Sequence, residues 1–245
     1  MRIPRIYDEQ SILTIGAEFS LGEDGSGHVG RVLRLKSGDT IQVFNGSARE
    51  ATCEITAVTK KEVTVRIISI QENNRESPLH LHLAQVISRG EKMDFTLQKS
   101  VELGVSEITP LISQRCCVRL DEDRLNKKMN SWQKIIISAC EQCGRSVIPV
   151  LNNPLTLEDF INQDCPDLKI NLHPRGKLGI PDLPVSPRQK IRLIIGPEGG
   201  LSPDEIEFAS RNGYQEVLLG PRILRTETAA LTAISIIQSC FGDLS

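Results

Sequence analysis

Two glycine-bearing segments in the last quarter of the chain carry residue types whose spacing suits chemistry. Gly196-Pro197-Glu198-Gly199-Gly200 follows the apolar run Ile191 to Ile195 and precedes Ser202-Pro203-Asp204-Glu205. Glycines let a backbone approach a ligand closely. Ser202 as N-cap, Pro203 as first helical residue and Glu205 as the third make a capping box that starts a helix, with Gly213 placed to stop it. A strand that runs through such a loop into a helix is where open α/β sheets bind ligands. The spacing is not G-x-G-x-x-G, Pro197 lacks an N–H donor, and Glu198 puts a carboxylate where a pyrophosphate would sit. The loop therefore suits a ligand that is positively charged or rich in hydroxyl and amino donors and carries no phosphate. A tight turn that binds nothing is the alternative on this loop alone.

The second segment is Leu219-Gly220-Pro221-Arg222-Ile223-Leu224-Arg225-Thr226-Glu227-Thr228-Ala229, again a strand end, a glycine and a helix start, with Thr226 read as the cap. Two parallel strand ends with glycine loops wall a cleft jointly. Arg225, beside a helix N-terminus, is placed to meet an anion or a developing oxyanion. Other reactive types read as structural. Cys140 and Cys143 fall inside a helix, and Cys116-Cys117 is no second ligand pair, so no metal site is expected. His28, His80 and His82 lack catalytic partners; His173, after an apolar strand and before Pro174, is a loop histidine open to ligand contact.

The elements that must position these residues alternate. From Leu79 the pattern predicts strand Leu79 to Ile87, helix Lys92 to Leu103, strand Glu107 to Ile112, helix Arg124 to Cys143 and a weaker helix Leu157 to Ile161. Strands Leu168 to Leu172 and Lys190 to Ile195, helix Asp204 to Arg211, strand Glu216 to Leu219 and helix Glu227 to Cys240 complete it. Such alternation builds a mostly parallel sheet covered by helices, an α/β fold. Upstream, Thr40 to Asn45, Arg49 to Val58 and Glu62 to Ile70 are β-branched or alternating runs separated by Asn45-Gly46 and Lys60-Lys61, the texture of a small barrel or sandwich. The polar stretch Gln71 to Pro78 divides the two regions, which gives domains of residues 1–73 and 74–245.

Composition bounds the setting. At 245 residues the chain can bury a sizeable core. The first ten residues lack the apolar run of a signal peptide, and no eighteen apolar residues run together, so a cytoplasmic protein with no membrane span is expected. Seven cysteines without a regular framework fit reduced thiols. The net charge of −2 marks no globally basic protein, so any nucleic-acid contact must come from a local patch.

These motifs together resemble the RsmE family, the 16S ribosomal RNA uracil-N3 methyltransferases. The resemblance lies in Ile195 to Leu201 and Leu219 to Ala229, with Arg2-Ile3-Pro4-Arg5, Lys99-Ser100-Val101-Glu102-Leu103-Gly104 and Glu141-Gln142-Cys143-Gly144-Arg145 in the same order. Cys143 stands where the family more often has serine. The resemblance implies a C-terminal SPOUT-type methyltransferase domain threaded through a trefoil knot, with a PUA-like β-barrel in front that binds RNA, and a homodimer. It implies S-adenosylmethionine as cofactor and, as substrate, a uridine of 16S rRNA in the assembled small subunit. The cofactor would lie against Leu172 and His173, the loop of Gly196, Pro197, Glu198, Gly199 and Gly200, and the segment holding Leu219, Gly220, Ile223, Leu224, Arg225 and Thr228.

Glu141, Gln142 and Arg145 would help shape the active site. In the expected reaction Arg225 stabilises charge on the uracil oxygens, while Glu198 or Glu227 positions cofactor or substrate. Arg2, Arg5, Arg49 and Arg89 are the expected RNA contacts. Two other classes stay open on the residues alone: a nucleotide-dependent oxidoreductase on the same glycine loop, and a catalytically silent RNA-binding module.

Overall fold

The computed structural model describes residues 3–9, 14–116, 118, 121–165, 167–174 and 176–244. The chain divides into two compact units, residues 1–76 with 137–148, and residues 77–136 with 149–245.

The first unit holds, among the described residues, a five-stranded sheet in the order β1-β3-β4-β5-β2. Its strands are β1 (Arg5–Tyr7), β2 (Glu18–Ser20), β3 (Thr40–Phe44), β4 (Arg49–Val58) and β5 (Val63–Glu72), and a short helix α1 (Glu23–Gly27) runs into a π-turn at His28–Val32. β1 runs parallel to β3, and the other pairs are antiparallel. The register of β4 on β5 shifts between Thr52 and Cys53 and between Ile55 and Ala57. Such bulges bend a strand and raise its twist. The bent sheet wraps one core in which Val29 of the π-turn meets Ile41, Val43, Ile55, Val63, Val65 and Ile67.

Residues 137–148 complete this unit through a buried polar network. Arg5 pairs with Glu50, each side chain 3% exposed, and donates to the Arg145 carbonyl (2.9 Å) and to Ser146 Oγ (3.1 Å). Asn73 Nδ2 donates to Glu50 Oε2 and to the Gly144 carbonyl, both at 3.0 Å. Tyr7 N donates to Glu141 Oε1 at 2.9 Å, and Arg145 binds Glu76 at 2.6 Å. Buried charges persist only when paired and hydrogen-bonded, and this cluster meets that condition. Two sequence expectations change here. Arg5 is buried inside an ion pair, so it offers no guanidinium to RNA. Glu141 and Arg145 likewise spend their charges on the first unit's interior.

The second unit holds, among the described residues, a seven-stranded sheet of β6 (His80–Val86), β7 (Glu107–Ile112), β8 (Val150–Leu151), β9 (Leu155–Thr156), β10 (Leu168–Leu172), β11 (Lys190–Ile195) and β12 (Gln215–Val217). The order is β12-β10-β11-β6-β7-β8, with β9 also on β7, and every pair is parallel. Parallel sheets are covered on both faces, so β6 and β11 are buried along nearly their whole length rather than alternating. The helices are α2 (Glu91–Glu102), α3 (Glu122–Cys143), α4 (Leu157–Asn162), α5 (Pro203–Arg211) and α6 (Thr226–Phe241). On one face Phe160 and Ile161 of α4 and Ala209 of α5 pack on Ala84, Val86, Leu111 and Ile194. On the other, α6 returns against α2 and β11, and Gln238 Nε2 donates to the Leu103 carbonyl at 3.1 Å.

Candidate active site

β10, β11 and β12 pair in register, Ile170 level with Leu193 and with Gln215, so their carboxyl ends open on one side of the sheet. The loops leaving those ends wall a cleft of about 840 Å³, a size usual for small-molecule sites. His173 and Pro174 come from the first loop, Gly196 to Leu201 from the second, and Leu218 to Gly220 with Arg222 to Leu224 from the third. Pro203, Ile206, Glu207 and Ser210 of α5, Thr226 and Ala229 of α6, and Arg115 close it.

The second loop is held by local rules. A Cβ at Gly196 would stand 3.2 Å from Leu201 Cγ and 3.3 Å from its backbone nitrogen, and Gly200 has φ +67°. Both positions favour glycine. The capping box forms as the spacing predicts: Ser202 Oγ accepts from Glu205 N at 3.2 Å, and Glu205 Oε2 accepts from Ser202 N at 2.7 Å. The other Glu205 oxygen accepts from Gln114 N at 2.7 Å. Arg115 Nη1 donates to the Gly199 and Leu201 carbonyls at 3.1 and 3.3 Å.

The start of α6 departs from the sequence reading. Arg225 is the N-cap, with no side-chain cap hydrogen bond, and Thr226 is the first helical residue. The Thr226 hydroxyl instead donates to the Gly196 carbonyl at 2.7 Å and accepts from Gln85 Nε2 at 2.9 Å. The third loop is thereby fastened to the second, a long-range bond that local capping rules cannot foresee.

Electrostatically, Glu198 is one of several charged residues that line the cleft, with Arg115, Glu207, Glu216 and Arg222. The Glu198 carboxylate lies 3.3 Å from Lys92 Nζ. Partial burial pushes its pKa up, but hydrogen bonds from its own backbone, Lys92 and the Arg89 N–H outweigh that and leave it below the ordinary value. At the far wall His173 Nδ1 stands 3.2 Å from Glu216 Oε2, and His173 N donates to the Val217 carbonyl at 2.9 Å.

Of the residues singled out from sequence, Leu172, His173, Gly196, Pro197, Glu198, Gly199, Gly200, Leu219, Gly220, Ile223 and Leu224 line the cleft. Arg225, Glu227 and Thr228 are not among its walls; Arg225 and Thr228 are exposed, and Glu227 is half-buried. Arg49 is exposed and lies 3.7 Å from Glu72; Arg89 is exposed beside Glu198. Arg2 lies outside the described residues. Sequence reasoning missed Arg115, Ile206, Glu207, Ser210 and Glu216. The spacing of residues 203, 206, 207 and 210 on one helical face was a usable signal, as was the lone amide Gln85 in an apolar strand.

Two of the cysteines sit within α3. Cys140 is buried, which pushes its thiol up to about 12, and Cys143 Sγ faces the Cys140 carbonyl within α3. Among the described residues no group of three or more His, Cys, Asp or Glu is placed to hold a metal ion, and no helix is long and apolar enough to cross a membrane.

A parallel sheet with a glycine-looped cleft at its carboxyl edge, in a chain that also holds a mixed-sheet unit, defines a class. Residues 75–238 match the family described as RNA methyltransferase domain, and residues 21–68 that described as RNA methyltransferase PUA domain. A ribosomal RNA small subunit methyltransferase E of Buchnera aphidicola is 40% identical over 99% of this chain and 95% of its own, and that of Bacillus subtilis 31% over 90% and 89%. Among solved structures, the chain is similar to a Legionella pneumophila protein solved in complex with the bound cofactor SAM (49% identity, TM-score 0.96). It is also similar to the Neisseria gonorrhoeae ribosomal RNA small subunit methyltransferase E bound to S-adenosyl methionine (37%, 0.93), and both likenesses cover 100% of both chains. The chain belongs to the ribosomal RNA small subunit methyltransferase E family, with the SPOUT-type α/β fold and the N-terminal PUA domain of that class.

Proposed function

We propose that the chain is an S-adenosylmethionine-dependent methyltransferase that methylates N3 of a uridine in the 16S RNA of the small ribosomal subunit. The observation that carries this is the cleft itself: three parallel strand ends with glycine-lined loops and the carboxylates of Glu198 and Glu216 among its walls. S-adenosylmethionine supplies an electrophilic methyl group on a sulfonium when bound. Leu172, Ile195 and Leu218 offer an apolar wall for a purine and keep water out, while Glu216 and Glu198 offer acceptors to hydroxyl, amino and cationic groups. The depressed pKa of Glu198 suits it to orient donors rather than to carry a proton.

Transfer to N3 requires loss of the uracil N3 proton and stabilisation of the charge left on O2 and O4. Arg225, between the cleft-lining Leu224 and Thr226, is the group proposed to meet that charge. Glu227, in the first turn of α6, or Glu198 is proposed to position cofactor or substrate. Residues 1–73 are proposed as the RNA-binding domain and 74–245 as the catalytic one, with Arg49 and Arg89 as surface contacts to phosphate. The working form is proposed to be a cytoplasmic homodimer acting on the assembled subunit.

The oxidoreductase reading lacks any dinucleotide spacing, and a silent module has no use for the fastened loops. Calorimetric titration separates the three. Binding of S-adenosylhomocysteine supports the methyltransferase, binding of NAD(H) the oxidoreductase, and binding of neither the silent module.

A further inference from the structure

Gln85, fully buried on β6, does not line the cleft but reaches it through one intermediary. The Gly196 carbonyl only accepts, so the single Thr226 hydroxyl proton goes to it (2.7 Å). The Thr226 oxygen must then accept from Gln85 Nε2 (2.9 Å), whose second N–H goes to the Val86 carbonyl (3.0 Å). The proton order is fully determined. Gln85 Oε1, by contrast, is buried with no hydrogen-bond partner among the described residues. A buried acceptor without a partner destabilises, and an apolar side chain of the same shape would leave none. Stability therefore does not explain an amide in the apolar interior of this sheet, whereas the bond to Thr226 does.

We infer that Gln85 is a positioning residue for methyl transfer. Through the Thr226 hydroxyl it locks the Gly196 carbonyl of the second loop to the first turn of α6, and so holds the cleft at one width. The inference rests on the reading of this cleft as the S-adenosylmethionine site. Its structural core is the three-member relay Gln85, Thr226 and Gly196, which joins β6, the loop after β11 and α6.

The test measures S-adenosylhomocysteine binding by calorimetry, separate KM values for S-adenosylmethionine and for small-subunit RNA, and Tm, in the full-length protein. Gln85→Met keeps volume and removes the bond; Thr226→Val removes the hydroxyl, and Thr226→Ser restores it. The expected result is a roughly tenfold weaker Kd and higher KM for the cofactor in Gln85→Met and Thr226→Val, from loss of one buried hydrogen bond. RNA KM should stay near wild type. Gln85→Met, which also removes the unpaired Oε1, should change Tm little. Thr226→Val, which strands the Gly196 carbonyl and Gln85 Nε2, should lower Tm as well, and Thr226→Ser should recover both Tm and cofactor binding. Cofactor affinity unchanged in Gln85→Met overturns the inference, as does a loss in that variant spread equally over both substrates and Tm. Failure of the wild-type protein to bind S-adenosylhomocysteine overturns the underlying cofactor reading instead, and with it the inference.

Discussion

Replacing Gly176 with alanine perturbs the cleft from behind without touching a ligand. A Cβ there would sit 2.9 Å from the Glu216 carbonyl oxygen, the Val217 carbonyl carbon and the Leu218 nitrogen. All three neighbours are backbone, so no rotamer change relieves the contact, and the edge strand β12 must move. Glu216, Val217 and Leu218 are cleft walls. The same shift strains the Leu218 N–H bond to the Leu178 carbonyl (2.9 Å) and the His173 N–H bond to the Val217 carbonyl (2.9 Å). Overpacking of this kind costs about 1–3 kcal/mol. For a chain of this size that lowers Tm by roughly 2–12 °C. Displaced walls that forfeit about 1 kcal/mol of ligand contact should weaken S-adenosylhomocysteine roughly fivefold. Scanning and titration calorimetry read both effects. Ile55→Val in the first unit's core is the control: it costs about 1 kcal/mol of stability and should leave ligand affinity unchanged. Wild-type affinity in Gly176→Ala would refute the claim that β12 forms a wall of the site.

Three further outcomes follow from the same geometry. Burial alone would raise the Glu50 pKa, but hydrogen bonds from Gln71, Arg5 and Asn73 hold it below its ordinary 4.5. The stability this lends is present above pH 4.5 and lost as pH falls through the lower folded value, so a Tm–pH series should show an acid-sensitive arm that Glu50→Gln makes shallower. His82 is driven by burial from 6.5 to about 4, against Glu107, with Arg192 and His80 reinforcing the shift. Stability should therefore decline between pH 6.5 and about 4, as the unfolded chain takes a proton that the folded one refuses, and His82→Asn should flatten that interval. Arg225→Ala should reduce methyl transfer by about 10²-fold with cofactor affinity near wild type; an unchanged single-turnover rate would remove Arg225 from the reaction.

Much of both sheets was legible because the longer strands are unbroken apolar, β-branched or alternating runs. Arg49 to Val58, Glu107 to Ile112, Leu168 to Leu172 and Lys190 to Ile195 coincide with β4, β7, β10 and β11. β1, β2, β8 and β9 went unread because two or three residues carry no period; their places come from pairing with distant strands. The glycine loops announced the cleft through backbone requirements that are local. What stayed hidden is nonlocal: Thr226 reads as a cap from its neighbours alone, and only the fold brings the Gly196 carbonyl to its hydroxyl. Arg5 looks like a free surface cation until Glu50, far along the chain, claims it. Residues 137–148 continue a helix in sequence yet belong to the first unit's interior, because that unit's buried charges find their partners there.

The most direct test of the central claim is transfer of a labelled methyl group from S-adenosylmethionine to small ribosomal subunits from a strain lacking the enzyme, followed by nucleoside mapping. The account predicts label in a single 3-methyluridine of 16S RNA. Label in another nucleoside, or none with cofactor bound, would contradict it.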